Sequence, residues 1–147
     1  AMLEPPSLSR SDGKRPDGLT MLPWSNGRCL VWDFTCPDSL AASHLNQAVT
    51  GPGAVACNAE QRKTTKYQTL SALYQFKPIA VETLGALGVE ATDFFRQLGH
   101  RITTVTAEQR SHQFLMQRLS IAIQRGNAAC IIGTVQQTGG WDDLFYI

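Results

Sequence analysis

The stretch Leu19-Thr20-Met21-Leu22-Pro23-Trp24-Ser25-Asn26-Gly27-Arg28-Cys29-Leu30-Val31-Trp32-Asp33-Phe34-Thr35 decides how the rest of the chain is read. Apolar, β-branched and aromatic residues dominate both halves. Ser25-Asn26-Gly27 between them carries the Asn-Gly pair that favours a tight hairpin. Leu19 to Trp24 and Arg28 to Thr35 are therefore predicted to pair as antiparallel strands. Alternation puts Val31, Asp33 and Thr35 on one face and Leu30, Trp32 and Phe34 on the other. Asp33 then has apolar neighbours on both sides, a costly position for a carboxylate unless a side-chain cation or a metal ion meets it. Asp17, in Arg15-Pro16-Asp17-Gly18, lies at the mouth of the first strand, close enough across the hairpin to share that positive charge.

Downstream, Val55 to Tyr74 reads as a helix. At about 100° per residue, Ala56, Ala59, Lys63, Lys66, Leu70, Leu73 and Tyr74 fall within one arc. Two lysines thus point where the core should be. Snorkelling of their stems is the ordinary account. If this helix packs on the sheet face that bears Asp33, one lysine meets the carboxylates and can hold an attacking water or steady charge on a phosphate. Lys66 is nearer the centre of the stripe than Lys63 and is the first choice. Phe76 to Thr83 follows as a strand with Pro78 at its entrance. Glu82 at its end is a metal contact or, more simply, a partner for a surface base or a cap for the next segment. Val89 to Leu98 is predicted as a short helix stopped by Gly99, and Ala107 to Arg125 as a longer one carrying Phe114, Leu115, Leu119, Ala122 and Ile123. Gly126-Asn127 interrupts it, and Ala128 to Val135 is a continuation after a kink or a buried strand, the helix being preferred.

A chain of 147 residues with 43% hydrophobic content can bury one core. The division expected is a flexible segment at 1–14, one domain at 15–135 and a tail at 136–147. No apolar run reaches membrane-spanning length and no signal-peptide pattern stands near the N-terminus, so an intracellular protein without membrane partners is expected. Cys29, Cys36, Cys57 and Cys130 show no Cys-x-x-Cys spacing, which argues for reduced thiols and against structural zinc. A net charge of +1 falls short of the basic excess that phosphate binding alone demands. The basic residues nevertheless cluster at Arg10, Lys14 and Arg15, at Arg62, Lys63 and Lys66, and along Arg110, Arg118 and Arg125. They form either a backbone track, if they line one cleft, or an ordinary solvated surface. His44, His100 and His112 are isolated from one another and from the acids. Gly51-Pro52-Gly53 lacks the lysine and hydroxyl of a phosphate loop. Gln124-Arg125-Gly126-Asn127 is a polar cluster that packing does not account for.

Pro16-Asp17, then Asp33-Phe34-Thr35, then Lys63-x-x-Lys66-Tyr67-x-x-Leu70, then Phe76-Lys77-Pro78-Ile79-Ala80-Val81-Glu82 resembles, in that order, the restriction-endonuclease-like domain encoded at the end of some non-LTR retrotransposons. That domain is a branch of the PD-(D/E)XK nuclease superfamily. The stretch from Arg15 through Trp32-Asp33-Phe34-Thr35 to Gln124-Arg125-Gly126-Asn127 is also similar to uncharacterised proteins associated with reverse-transcriptase elements in animals. The resemblance implies an α/β fold with a restriction-endonuclease-like core, a small mixed β-sheet flanked by helices. It implies a DNA endonuclease dependent on Mg²⁺ or Mn²⁺, the target-nicking domain of a retroelement-derived protein, acting in the nucleus or elsewhere inside the cell. Asp17, Asp33 and the carbonyl of Phe34 would hold the metal. The superfamily's usual strand lysine is Thr35 here, and Lys66, or else Lys63, would replace it from the helix. Lys14, Arg15, Arg62, Tyr67 and Arg125 would contact DNA, with RNA or a reverse-transcriptase module of a parent polypeptide as further partners. The superfamily core also begins with a helix and a strand that Ala1 to Lys14 is too short to supply. The rival reading is a domesticated, catalytically inactive domain of the same fold that binds DNA or protein.

Overall fold

Asn26 and Gly27 both adopt positive φ, 50° and 72°, the pair of left-handed residues that a type I′ turn requires. Ser25 pairs with Arg28 across the turn. The hairpin this closes is the centre of the molecule. The computed structural model describes residues 1–8 and 15–134. It contains strands β1 (Met2–Leu3), β2 (Gly18–Ser25), β3 (Arg28–Thr35) and β4 (Gln75–Ala80) and helices α1 (Leu45–Ala48), α2 (Ala54–Lys66), α3 (Val89–Thr106) and α4 (Ser111–Thr134). The strands form one mixed sheet in the order β1-β2-β3-β4. The first three are antiparallel, and β4 runs parallel to β3 after the α2 crossover, with Leu30 opposite Gln75 and Asp33 opposite Pro78. The fold is thus α/β, a small mixed sheet flanked by helices.

Helices cover both faces. Leu30 of β3 and Ile79 of β4 pack with Ala91, Phe94 and Phe95 of α3, and Leu115, Met116 and Leu119 of α4 close over that cluster. On the other face the ring of Tyr67, at the end of α2, meets Phe76 of β4 with centroids 5.1 Å apart. Val31, Val55, Ala56 and Ala80 are buried. The alternation read from the sequence therefore divides β3 between two layers, with Asp33 on the α2 side. Pro78 sits inside β4 rather than at its entrance. It is tolerated because β4 is an edge strand, where a missing amide donor breaks no ladder. Gly18 is fixed by packing, since a Cβ there would lie 2.0 Å from the Trp32 ring across the β2–β3 pair.

The helix boundaries depart from the sequence reading in four places, the first being that α4 begins at Ser111 rather than at Ala107. The helix expected to Tyr74 ends at Lys66 and gives way to a 3₁₀ turn at Gln68–Ala72. Gly99 does not stop α3, which runs to Thr106 and ends on Ala107 at φ 60°. Gly99 is instead where α4 comes close, because a Cβ there would be 2.6 Å from that of His112. Gly126-Asn127 does not interrupt α4, and the Asn127 side-chain amide donates to the Thr83 carbonyl at 2.7 Å. Among the described residues no helix is long and apolar enough to cross a membrane.

Neither α2 nor α3 has a side-chain cap of its own, their N-cap residues being Gly53 and Gly88. Buried carboxylates from elsewhere in the fold do the capping. Glu82 Oε1 accepts from the amides of Val55 and Ala56 at 3.0 and 3.2 Å. Glu60, on α2, accepts from Glu90 and Ala91 of α3 at 2.9 and 2.8 Å. Glu82 thus caps the helix that precedes it in the chain rather than the one that follows. Each carboxylate satisfies amides that a helix leaves unpaired and sits at the positive end of the helix dipole.

Candidate functional site

Because β3 presents Asp33 to α2, and because Lys63, Lys66 and Tyr67 fall near one another at the C-terminal end of that helix, the four side chains meet. Asp33 is 3% exposed. Its Oδ2 forms an ion pair with Lys63 Nζ. The hydroxyl of Tyr67 donates to its Oδ1 at 3.2 Å, and Lys66 Nζ donates to that hydroxyl at 2.8 Å while lying 4.4 Å from the Tyr67 ring centroid. Asp17 joins from the segment just before β2. Its Oδ2 accepts the amide of Phe34 at 2.6 Å, and its own amide donates to Trp32 at 3.1 Å. The two carboxylates therefore belong to neighbouring segments of one sheet, and Asp17 is bound to the residues on either side of Asp33.

The ordering of the lysines differs from the sequence expectation. Lys63 makes the direct contact with Asp33, and Lys66 reaches it through Tyr67. Lys63 lies one turn deeper under the sheet, whereas Lys66 is at the end of the helix. Tyr67, expected to touch a phosphate, is 1% exposed and directs its hydroxyl inward. It is an internal link between Asp33 and Lys66 rather than a surface group.

The environment of Tyr67 has a measurable consequence. Burial, the charge of Asp33, its hydrogen bond and the more distant Asp17 push the phenol up to about 12, with Lys63 opposing them. The raised value means that the neutral phenol stabilises the fold fully below pH 10, and this contribution is lost as pH rises from about 10 to about 12. An alkaline titration followed by tyrosinate absorbance should show one late phase near pH 12, absent in Tyr67→Phe. A Tyr67→Phe protein with the same late phase would show that the hydroxyl is not held as described.

Of the other predicted contacts, Arg15 is exposed and paired with Glu4, and Arg62 is exposed on α2 beside Lys63. Lys14 lies outside the described residues. Arg125, exposed on α4, belongs to the layer behind the opposite sheet face, as do Arg110 and Arg118. The Arg62–Lys66 and Arg110–Arg125 groups therefore lie on opposite faces of the sheet and do not share a cleft, and Arg10, like Lys14, lies outside the described residues. Among the described residues no cluster of three or more His, Cys, Asp or Glu could hold a metal ion. The protein donors here are two carboxylates and backbone carbonyls. Sequence reasoning missed Glu60 and the direct partnership of Lys63 with Asp33, because both depend on how far α2 is advanced along the sheet.

The chain matches no protein-family model, no curated protein and no solved structure.

Proposed function

We propose that the Asp17–Asp33–Lys63–Lys66 cluster is the hydrolytic centre of a metal-dependent DNA endonuclease, the target-nicking activity of a retroelement-derived protein. The observation that carries this reading is the convergence of a buried strand carboxylate, a second carboxylate tied to the adjacent peptide and two lysines of one helix. Asp17 and Asp33, with the carbonyl of Phe34, suit Mg²⁺ or Mn²⁺. Such hard ions take oxygen ligands, and Mg²⁺ commonly uses one or two carboxylates together with water and substrate phosphate. The metal would orient water and offset charge on the scissile phosphate.

The chain's own residues have distinct tasks. Lys63 balances the charge of Asp33 and so allows a carboxylate to be held ready inside the sheet. Tyr67 fixes the orientation of Asp33 by donating to Oδ1. Lys66, anchored on the Tyr67 hydroxyl, supplies a positive charge for the transition state. Phe34 fixes Asp17 through its amide.

The test is nicking of supercoiled plasmid in Mg²⁺, Mn²⁺ or EDTA by wild-type, Asp33→Asn and Lys66→Ala proteins. Metal-dependent cleavage that falls about a hundredfold or more in both variants is expected. Undiminished cleavage by both variants would place the chemistry elsewhere. A folded wild type that neither cuts nor takes up Mn²⁺ would make the domain a binding module of the same fold.

A further inference from the structure

A cavity of about 270 Å³ opens beside the cluster, between α2 and the segment joining β3 to α2. Thr35 and Lys63 connect it to the candidate site, Thr35 lying two residues beyond Asp33 on the same face and Lys63 being the ion-pair partner of Asp33. His44 and Gln47 enter from the segment, Asn58 and Arg62 from α2. A second hollow of about 420 Å³, lined by Gln61, Thr65 and the same Asn58 and Arg62, continues over the outer face of α2. None of the described residues lining either space is acidic, in a chain with nearly as many acidic as basic residues.

The segment that forms one wall is held in place. The Asp38 carboxylate accepts from the Leu40 amide at 3.0 Å and from the Thr83 hydroxyl at 3.1 Å, and Ser39 is buried. The His44 ring contacts the Asp38 carbonyl through Nδ1 at 2.8 Å. Since a carbonyl only accepts, Nδ1 is the donor, and in the neutral ring Nε2 remains an acceptor. Gln47 and Asn58 each bring a carbonyl and an amide NH₂. The lining thus combines acceptors and donors of the kind a base edge requires with two cations suited to phosphate. Val55 and Pro37 supply apolar surface.

We infer that this cavity receives one unpaired nucleotide next to the scissile phosphate, so that the preferred substrate is single-stranded or locally opened DNA. The inference rests on the nuclease reading and adds the substrate class. The volume lies below the about 300–1,000 Å³ usual for ligand pockets, which suits one nucleoside unit and excludes a duplex. Base-edge hydrogen bonds further require a base that is not engaged in pairing. Arg62 and Lys63 meet the backbone, and the second hollow carries the strand onward.

The experiment is fluorescence anisotropy in EDTA with a labelled single-stranded oligonucleotide, the same sequence as duplex, and a free deoxynucleoside monophosphate as competitor. Wild type and the Gln47→Ala/Asn58→Ala variant are compared after their melting curves are shown to coincide. The single strand should bind more tightly than the duplex, and the double variant should lose about tenfold on the single strand with duplex binding unchanged. Equal binding of both forms, or a variant that keeps the single-strand preference, overturns the inference. Competition by the monophosphate at the strand's own affinity overturns it in favour of a small-molecule site. The plasmid assay reads the nuclease independently, since metal-dependent nicking lost in Asp33→Asn survives any of these results.

Discussion

Lys63→Ala should cost about 3–5 kcal/mol of folding free energy, read as a lower urea midpoint at unchanged slope. The reason is an asymmetry between the two partners. Asp33 is 3% exposed and cannot turn to water, whereas the Lys63 side chain is 25% exposed and can. Removing the lysine leaves a charge buried on the sheet, met among the described residues by the Tyr67 hydroxyl. Removing the carboxylate lets the ammonium swing outward, so Asp33→Ala should cost markedly less, about 1–2 kcal/mol. The double variant Lys63→Ala/Asp33→Ala should then be more stable than Lys63→Ala alone. Equal costs for the two single variants would mean that the ion pair is screened by water and that Asp33 is not confined as described.

Glu60→Ala should be nearly as damaging, by about 3 kcal/mol, although the residue touches nothing in the candidate site. Its two oxygens accept the amides of Glu90 and Ala91, and each amide buried without an acceptor costs about 1–3 kcal/mol. Burial, with a smaller push from the Glu90 charge, drives the Glu60 carboxyl up, against backbone hydrogen bonds from Glu90, Ala91 and Ala80, which pull it down. A raised value means that the stability owed to protonation of Glu60 is complete in acid and is lost as pH rises through the carboxyl's folded-state pKa. Glu60→Gln should remove that pH dependence while recovering part of the loss. Gly88 provides a sharper check, because a Cβ there would stand 2.2–2.4 Å from the Glu60 carboxylate group. Gly88→Ala should therefore destabilise the wild type and cost little in the Glu60→Ala background, a coupling of at least about 1 kcal/mol. Additive costs would show that the carboxylate does not occupy the space above Gly88.

The hairpin was legible because its information is local. Asn26-Gly27 suits the turn in any context, and strict alternation through Val31, Trp32, Asp33 and Phe34 assigns faces once either face is buried. The helical stripe through Lys63 and Lys66 was legible for the same reason, since its period belongs to the chain itself. Helix ends were less so. Gly99 carries a local helix-breaking preference of about 1 kcal/mol, which the close crossing of α3 and α4 outweighs. Likewise Gly126 is carried within α4, where Asn127 is fastened to Thr83.

The sequence by itself determined the two-layer division of β3, the exposure of Asp33 to whatever covers that face, and the presence of lysines on the covering helix, because periods of two and of 3.6 residues are properties of the backbone. Only the tertiary structure decided that Lys63 rather than Lys66 meets Asp33, that Tyr67 turns inward to link them, and that Glu60 and Glu82 cap helices remote in sequence. Each of those outcomes depends on how far one element slides along another, a distance of a single helical turn that packing sets and no local pattern encodes.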